Sequence, residues 1–160
     1  MSYESGPGAA FWVAFVSIFV VTIGIVFVLA LALYVVNAFA LMSLFRKVGV
    51  QPWIGWVPYY NTWTVLELGG QPGPVALLSL VPYGGYVVLV FLAIAHHRTG
   101  IAFGKDTSWV VLAIFVPFVW AFLLGRDGEV YRPGLITAAG YPPPKVGFGA
   151  PPPAPAASAV

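Results

Sequence analysis

The chain has no cysteine among its 160 residues, which removes disulfides, thiolate nucleophiles and thiolate metal sites from consideration. Charge is nearly as scarce: 8% of residues are Asp, Glu, Lys or Arg, against about 25% in an average soluble domain. With 60% hydrophobic residues and so few charges, the surface cannot stay dispersed in water, and a bilayer is expected to cover much of it. The deficit is sharpest from Ser5 to Phe45, where no acidic or basic side chain occurs. A helix needs about twenty residues to cross the roughly 30 Å apolar core, so this run exceeds one crossing and falls short of two with a turn between them. The 7 cations are scattered in no nucleic-acid pattern, so nucleic acid is not an expected partner. Three or four spans with short loops also leave no room for a separate catalytic domain of about 100 residues or more.

No Lys or Arg precedes the apolar run between Met1 and Gly8, and the run is far longer than the roughly 7 to 15 residues of a signal-peptide core. Small-x-small triplets occur at Ala30-Leu31-Ala32 and Ala38-Phe39-Ala40, but an uncleaved anchor is the expectation.

Four apolar segments follow one another. Segment one, Phe11 to about Phe45, reads as one tilted helix stopped by Arg46-Lys47. Segment two, Trp53 to Leu68, carries three Trp and two Tyr with Pro58, Asn61 and Glu67 inside it. Its aromatic rings prefer the interface, so it admits three readings: a short span, a re-entrant hairpin, or a helix lying in the interface plane. Segment three, Pro74 to Ala95, is expected to kink at Pro82-Tyr83-Gly84-Gly85 and to end at His96-His97-Arg98. Segment four, Trp109 to Leu124, is a short span with Pro117 at its middle. Val57-Pro58-Tyr59, Val81-Pro82-Tyr83 and Val116-Pro117-Phe118 share one device, which reads as kinks that help packing or as a weak internal repeat. From Tyr131 the composition turns to Pro, Gly and Ala without apolar periodicity, as in a disordered tether. The expected organisation is a short N-terminal tail over 1–10, a transmembrane helical domain over 11–125 and a disordered tail over 126–160.

The positive-inside rule places Arg46-Lys47 in the cytoplasm and the N-terminus outside. Beyond that the rule ties. If segment two crosses, Arg98 and Lys105 join Arg46-Lys47 inside and leave Arg126 and Arg132 outside; if it does not, the two pairs swap.

The string KVGVQPWIGWVPYYN, Lys47 to Asn61, resembles a small bacterial membrane domain of unknown function that also stands ahead of the signal peptidase I catalytic region in some bacteria. The family pattern is K-A-G, then a Trp, then P-x-Y-N, and Lys47, Gly49, Trp53, Pro58, Tyr60 and Asn61 fall where it expects them. Gly70, Pro72, Pro82, Phe103-Gly104-Lys105, Pro117 and Leu124-Gly125 continue in register, so the resemblance runs from about Phe45 to Gly125. Glu67 stands where a basic residue often sits, and Gly85 replaces a second asparagine. The resemblance implies no activity. Fused relatives need their following anchor to start in the cytoplasm, which favours the same side for this tail and a segment two that does not cross.

Glu67 is the only acidic residue inside an apolar segment, and a buried carboxylate there would suggest proton or cation handling. Beside Gly69-Gly70 it can instead reach the interface. Asn37 and Asn61 are candidates for hydrogen bonds between helices. His96 and His97 are adjacent, point about 100° apart on a helix and cannot chelate as an i, i+4 pair, so no metal is expected. Ser17, Ser43, Ser79 and Ser108 lack a nucleophile-elbow context, Ser108 alone lying near the histidines, and no phosphate-cradling loop is present. No catalytic residue and no cofactor is expected.

The fold class expected is all-α: a polytopic bundle of four helical segments in the bacterial inner membrane, three firm spans plus the short aromatic-rich one. The expected role is a non-catalytic accessory or scaffold subunit that packs, through the Trp53 to Asn61 turn and the kinked helices, on a membrane protein partner or a second copy. The alternative is a subunit of an oligomeric channel or transporter with Glu67 and Asn61 facing the path.

Overall fold

A computed structural model describes residues 7–149, and all regular structure within them is helical. The chain divides into two units, one ending at Val35 and one starting at Val36. The first helix, α1 (Pro7–Val48), runs through both. It begins earlier than expected, taking in part of the short tail drawn over 1–10, of which residues 1–6 lie outside the described stretch.

In the first unit every residue from Gly8 to Leu33 is exposed, and Phe, Val, Ile and Leu occupy every face. A helix apolar all round belongs in lipid or in a large protein core. Among the described residues two helices are long and apolar enough to cross a membrane: α1, with a mean hydropathy of 3.0 over its most apolar stretch, and α3 (Gly84–Ala102), at 1.3.

In the second unit the end of α1 is a core helix. Leu41, Leu44, Phe45 and Val48 recur at i, i+3, i+4 and i+7 and are all buried. The helix then stops in a Schellman motif: Gly49, at φ +80°, donates its N–H to Arg46 O, and Val50 donates to Phe45 O at 2.8 Å. Gly70 and Gly104 close α2 (Tyr60–Leu68) and α3 with the same pair of bonds.

Each of the three Val-Pro-aromatic devices marks a reversal of the chain and not a kink. A 3-10 helix (Pro52–Trp56) leads away from the end of α1 and lies against it, since a Cβ on Gly55 would fall 2.8 Å from Ala38 O. The chain breaks at Val57-Pro58, Tyr59 adopts φ +63°, and α2 runs back beside α1. Asn61, at its start, shares a cavity with Asn37 and Leu41, and Leu68, at its end, packs with Val48 in the core. The second 3-10 helix (Gly73–Leu80), Pro82, Tyr83 at φ +64° and α3 repeat that plan. Its two limbs touch where Gly84 meets Leu78. α3 continues past His96-His97-Arg98 to Ala102, about one turn beyond Arg98, because Thr99, Gly100 and Ala102 give it a buried small-residue face. At the third device Val116 has ψ +64°, which splits the expected span into α4 (Trp109–Phe115) and α5 (Pro117–Gly125). Proline tolerates this because it stands at the first helical position of α5, where no N–H is needed.

The segment from Arg126 to Gly149 is not the disordered tail its composition suggests. A short helix, α6 (Gly134–Ala138), packs on α3 with Ile136 fully buried. The chain is then tied down by backbone bonds from Arg132 N–H to Ala102 O (2.8 Å), Lys145 N–H to Glu67 O (2.9 Å) and Gly149 N–H to Val48 O (3.0 Å). An extended prolyl run has few donors of its own to satisfy, so it can lie across Gly70, whose added Cβ would sit 2.7 Å from Pro142 O. The rest of the expected tail, 150–160, lies outside the described residues.

Candidate functional site

The reversals place the ends of α1, α2, α3 and α5 together, and the charged side chains gather there. Arg46 and Lys47 close α1, and Lys47 Nζ donates to Glu129 O at 2.8 Å and to Arg126 O just past α5. Arg98 donates to Gly69 O at 3.2 Å, and its guanidinium lies 5.0 Å from the Tyr141 ring. Lys105 pairs with Glu129 at 2.7 Å and sits over the Trp109 ring. Glu67 is half-buried in the last turn of α2, at this same end. Burial beside Phe103 pushes the Tyr131 phenol up to about 12.

Toward the opposite end lies a cavity of about 230 Å³ that brings together Asn37, Asn61, Thr62, His96 and Pro117. An apolar cavity of about 330 Å³ adjoins it and shares Leu92, His96 and Pro117. The Asn61 amide donates to Gly55 O at 3.4 Å, tying the first 3-10 helix to α2, and Thr62 donates to Asn61 Oδ1 at 3.2 Å. Of the three intramembrane polar candidates, Asn37 and Asn61 meet here, and Glu67 is not in the lining.

His96 was not singled out from sequence as part of a cavity. It packs edge-on against Trp120 with ring centroids 4.6 Å apart, and its Nδ1 is buried without a hydrogen-bond partner. The signal was its helical register: Leu92 and Thr99 lie on the same face at i−4 and i+3, both facing protein. His97 turns to Tyr141 instead, and Ser108 donates to Asp106 at 2.7 Å, so neither histidine is held with that serine. Among the described residues no three His, Asp or Glu side chains form a metal-sized group.

The remaining motif residues shape the chain. Trp53 donates to Gln51 and packs against Tyr60, with centroids 6.2 Å apart, at the rim of a groove that also contains Gly49 and Lys145. Pro58, Pro82 and Pro117 mark the three reversals.

The profile of a family of unknown function (DUF5684) matches residues 53–132. The chain belongs to that family. No curated protein and no solved structure matches it. The DUF5684 match contains all three reversals and the Asn61 and His96 side of the cavity, whereas Lys47 and Gly49 precede it.

Proposed function

We propose that this DUF5684 protein is a non-catalytic accessory or scaffold subunit of the bacterial inner membrane, acting by helix packing on a membrane protein partner or a second copy. In this reading α1 crosses the bilayer with its N-terminal end outside and Arg46-Lys47 in the cytoplasm, and the domain is of the kind that stands ahead of signal peptidase I. Lys47, Gly49, Trp53, Pro58, Tyr60 and Asn61, in register with that pattern, support the kinship.

One observation carries the role. On α1, Phe11, Phe15 and Phe19 stack at i, i+4 spacing, each pair of ring centroids 6.4 Å apart, and all three are exposed. A row of stacked rings on an exposed apolar helix is a surface suited to another helix. Lys47 and Asn61 of the motif lend support by holding the chain's own backbone, at Glu129 O and Gly55 O. The channel reading draws less support, because Glu67 does not line the cavity that holds Asn61.

A photocrosslinker at Phe15 in cells should give a discrete adduct with a membrane protein or with the chain itself. Adducts with lipid alone would overturn the scaffold role. Glu67→Gln should leave that adduct unchanged; an altered, pH-dependent flux in the variant would favour the transporter instead.

A further inference from the structure

We infer that the three Val-Pro-aromatic tips of the second unit form a lipid-inserting surface: this unit enters the bilayer from the side that bears its cations, and every hairpin returns to that side, so segments two to four do not cross. The inference rests on the reading of the chain as a membrane protein.

The first argument is charge. All 7 Lys and Arg residues of the chain lie at or beside the end where α1, α2, α3 and α5 terminate. Arg46 and Lys47 are in the last turn of α1, Arg126 follows α5, and Arg98 binds the carbonyl of Gly69 beyond α2. Lys105 and Arg132 are joined there through Glu129 and Ala102, and Lys145 through Glu67. The described acids Glu67, Asp106, Asp127 and Glu129 stand at the same end, on the last turn of α2 or in the loops next to these cations. If segments two to four crossed, the cations would divide between the two sides, Arg46, Lys47, Arg98 and Lys105 on one and Arg126, Arg132 and Lys145 on the other. With returning hairpins the distribution becomes one-sided, which is what the positive-inside rule selects.

The second argument is what the tips expose. Tyr83 is 85% exposed, Phe115 79% and Tyr59 47%, and no charged residue lies between Val57 and Asn61, Leu77 and Ile94, or Val110 and Leu124. An apolar surface of this kind without charge calls for an apolar cover. Its aromatic side chains suit the acyl and interfacial region, where a ring keeps one polar edge wet.

The third argument is backbone satisfaction, which decides whether irregular chain can enter lipid. Proline brings no N–H to the tip. The valine before it is already bonded at each reversal: Val57 N–H to Ile54 O (3.0 Å), Val81 to Leu78 O (3.0 Å) and Val116 to Leu112 O (2.8 Å).

Length agrees. At 1.5 Å per residue, α2, α4 and α5 rise only about 10 to 14 Å against a core of about 30 Å. α3 is long enough to span, at 19 residues, but Pro82 joins it to a limb that runs back along it.

The test uses the full chain, whose lack of cysteine gives a clean background. Single cysteines are placed at exposed loop positions, Pro72→Cys, Thr107→Cys and Gly128→Cys, and labelled with a membrane-impermeant maleimide in right-side-out and inverted inner-membrane vesicles. All three should label only in inverted vesicles. Labelling of any one from the outside overturns the inference, since a crossing segment two would put Pro72 and Gly128 outside, and crossing by segments three and four alone would put Thr107 there. Silence from both sides at any of them also counts against it, as all three are exposed. A carbonate wash separates the two levels: release of the chain into the soluble fraction defeats the membrane reading itself, whereas a washed, membrane-held chain with loops on opposite sides defeats only the hairpin arrangement.

Discussion

The ammonium of Lys47 lies 2.8 Å from the carbonyl oxygen of Glu129 and donates as well to that of Arg126, so a side chain of α1 holds the loop that follows α5. Two loop carbonyls turned toward one half-buried ammonium make charge-assisted hydrogen bonds, which are stronger than neutral ones. Lys47→Met should lower stability by about 1.5–3 kcal/mol, the cost of a hydrogen bond to a charged group. Thermal unfolding in detergent would read it, and Lys47→Arg should recover only part, because its planar fork cannot reproduce a point charge between two carbonyls. An unchanged melting temperature in Lys47→Met would mean that these bonds do not hold that loop to α1.

Gly69 and Ala95 set the spacing of α2 and α3. A Cβ added to Gly69 would stand 2.7 Å from both the Cβ and the carbonyl oxygen of Ala95, which are rigid atoms of a helix. Gly69→Ala should therefore destabilise by about 1–3 kcal/mol through overpacking. Adding Ala95→Gly should return part of that loss, giving a double-mutant coupling that distant sites do not show. Simple additivity would mean the helices do not meet at this point.

Tyr131 predicts an alkaline weakness. Its hydroxyl is buried without a partner, and burial raises the phenol from 10.0 to about 12. Below pH 10 the group is neutral whether folded or unfolded; between 10 and 12 only the unfolded chain releases the proton, so stability falls as pH rises. Tyr131→Phe should remove this part of the alkaline loss and, by deleting an orphan donor, gain about 1 kcal/mol at neutral pH. Unfolding midpoints compared at neutral and alkaline pH would decide it; a loss at neutral pH would show that the hydroxyl has a partner.

Much of this fold is written in plain sight, and what is hidden has a definite cause. The first helix is legible because nothing but apolar side chains runs from Phe11 to Tyr34 apart from Ser17, Thr22 and small residues. The Val-Pro-aromatic devices are legible as punctuation, but a kink and a reversal share the same proline. What separates them in the first two is the left-handed backbone of Tyr59 and Tyr83, a conformation uncommon outside glycine that no residue type at those positions announces. The cavity follows from the reversals: Asn37 and Asn61 are conspicuous polar residues, yet only the return of α2 beside α1 brings them together. The packed stretch from Arg126 to Gly149 escapes notice because few of its side chains are buried, Ile136 and Pro144 among them, and its order comes from backbone bonds to neighbouring elements.

The bond from Gly149 N–H to Val48 O brings two distant points of the chain together. About a hundred residues begin and end within one hydrogen bond of each other, so Gly149 lies almost at the point where the chain departed from α1. A module with adjoining ends can be spliced between a membrane anchor and whatever follows without displacing either.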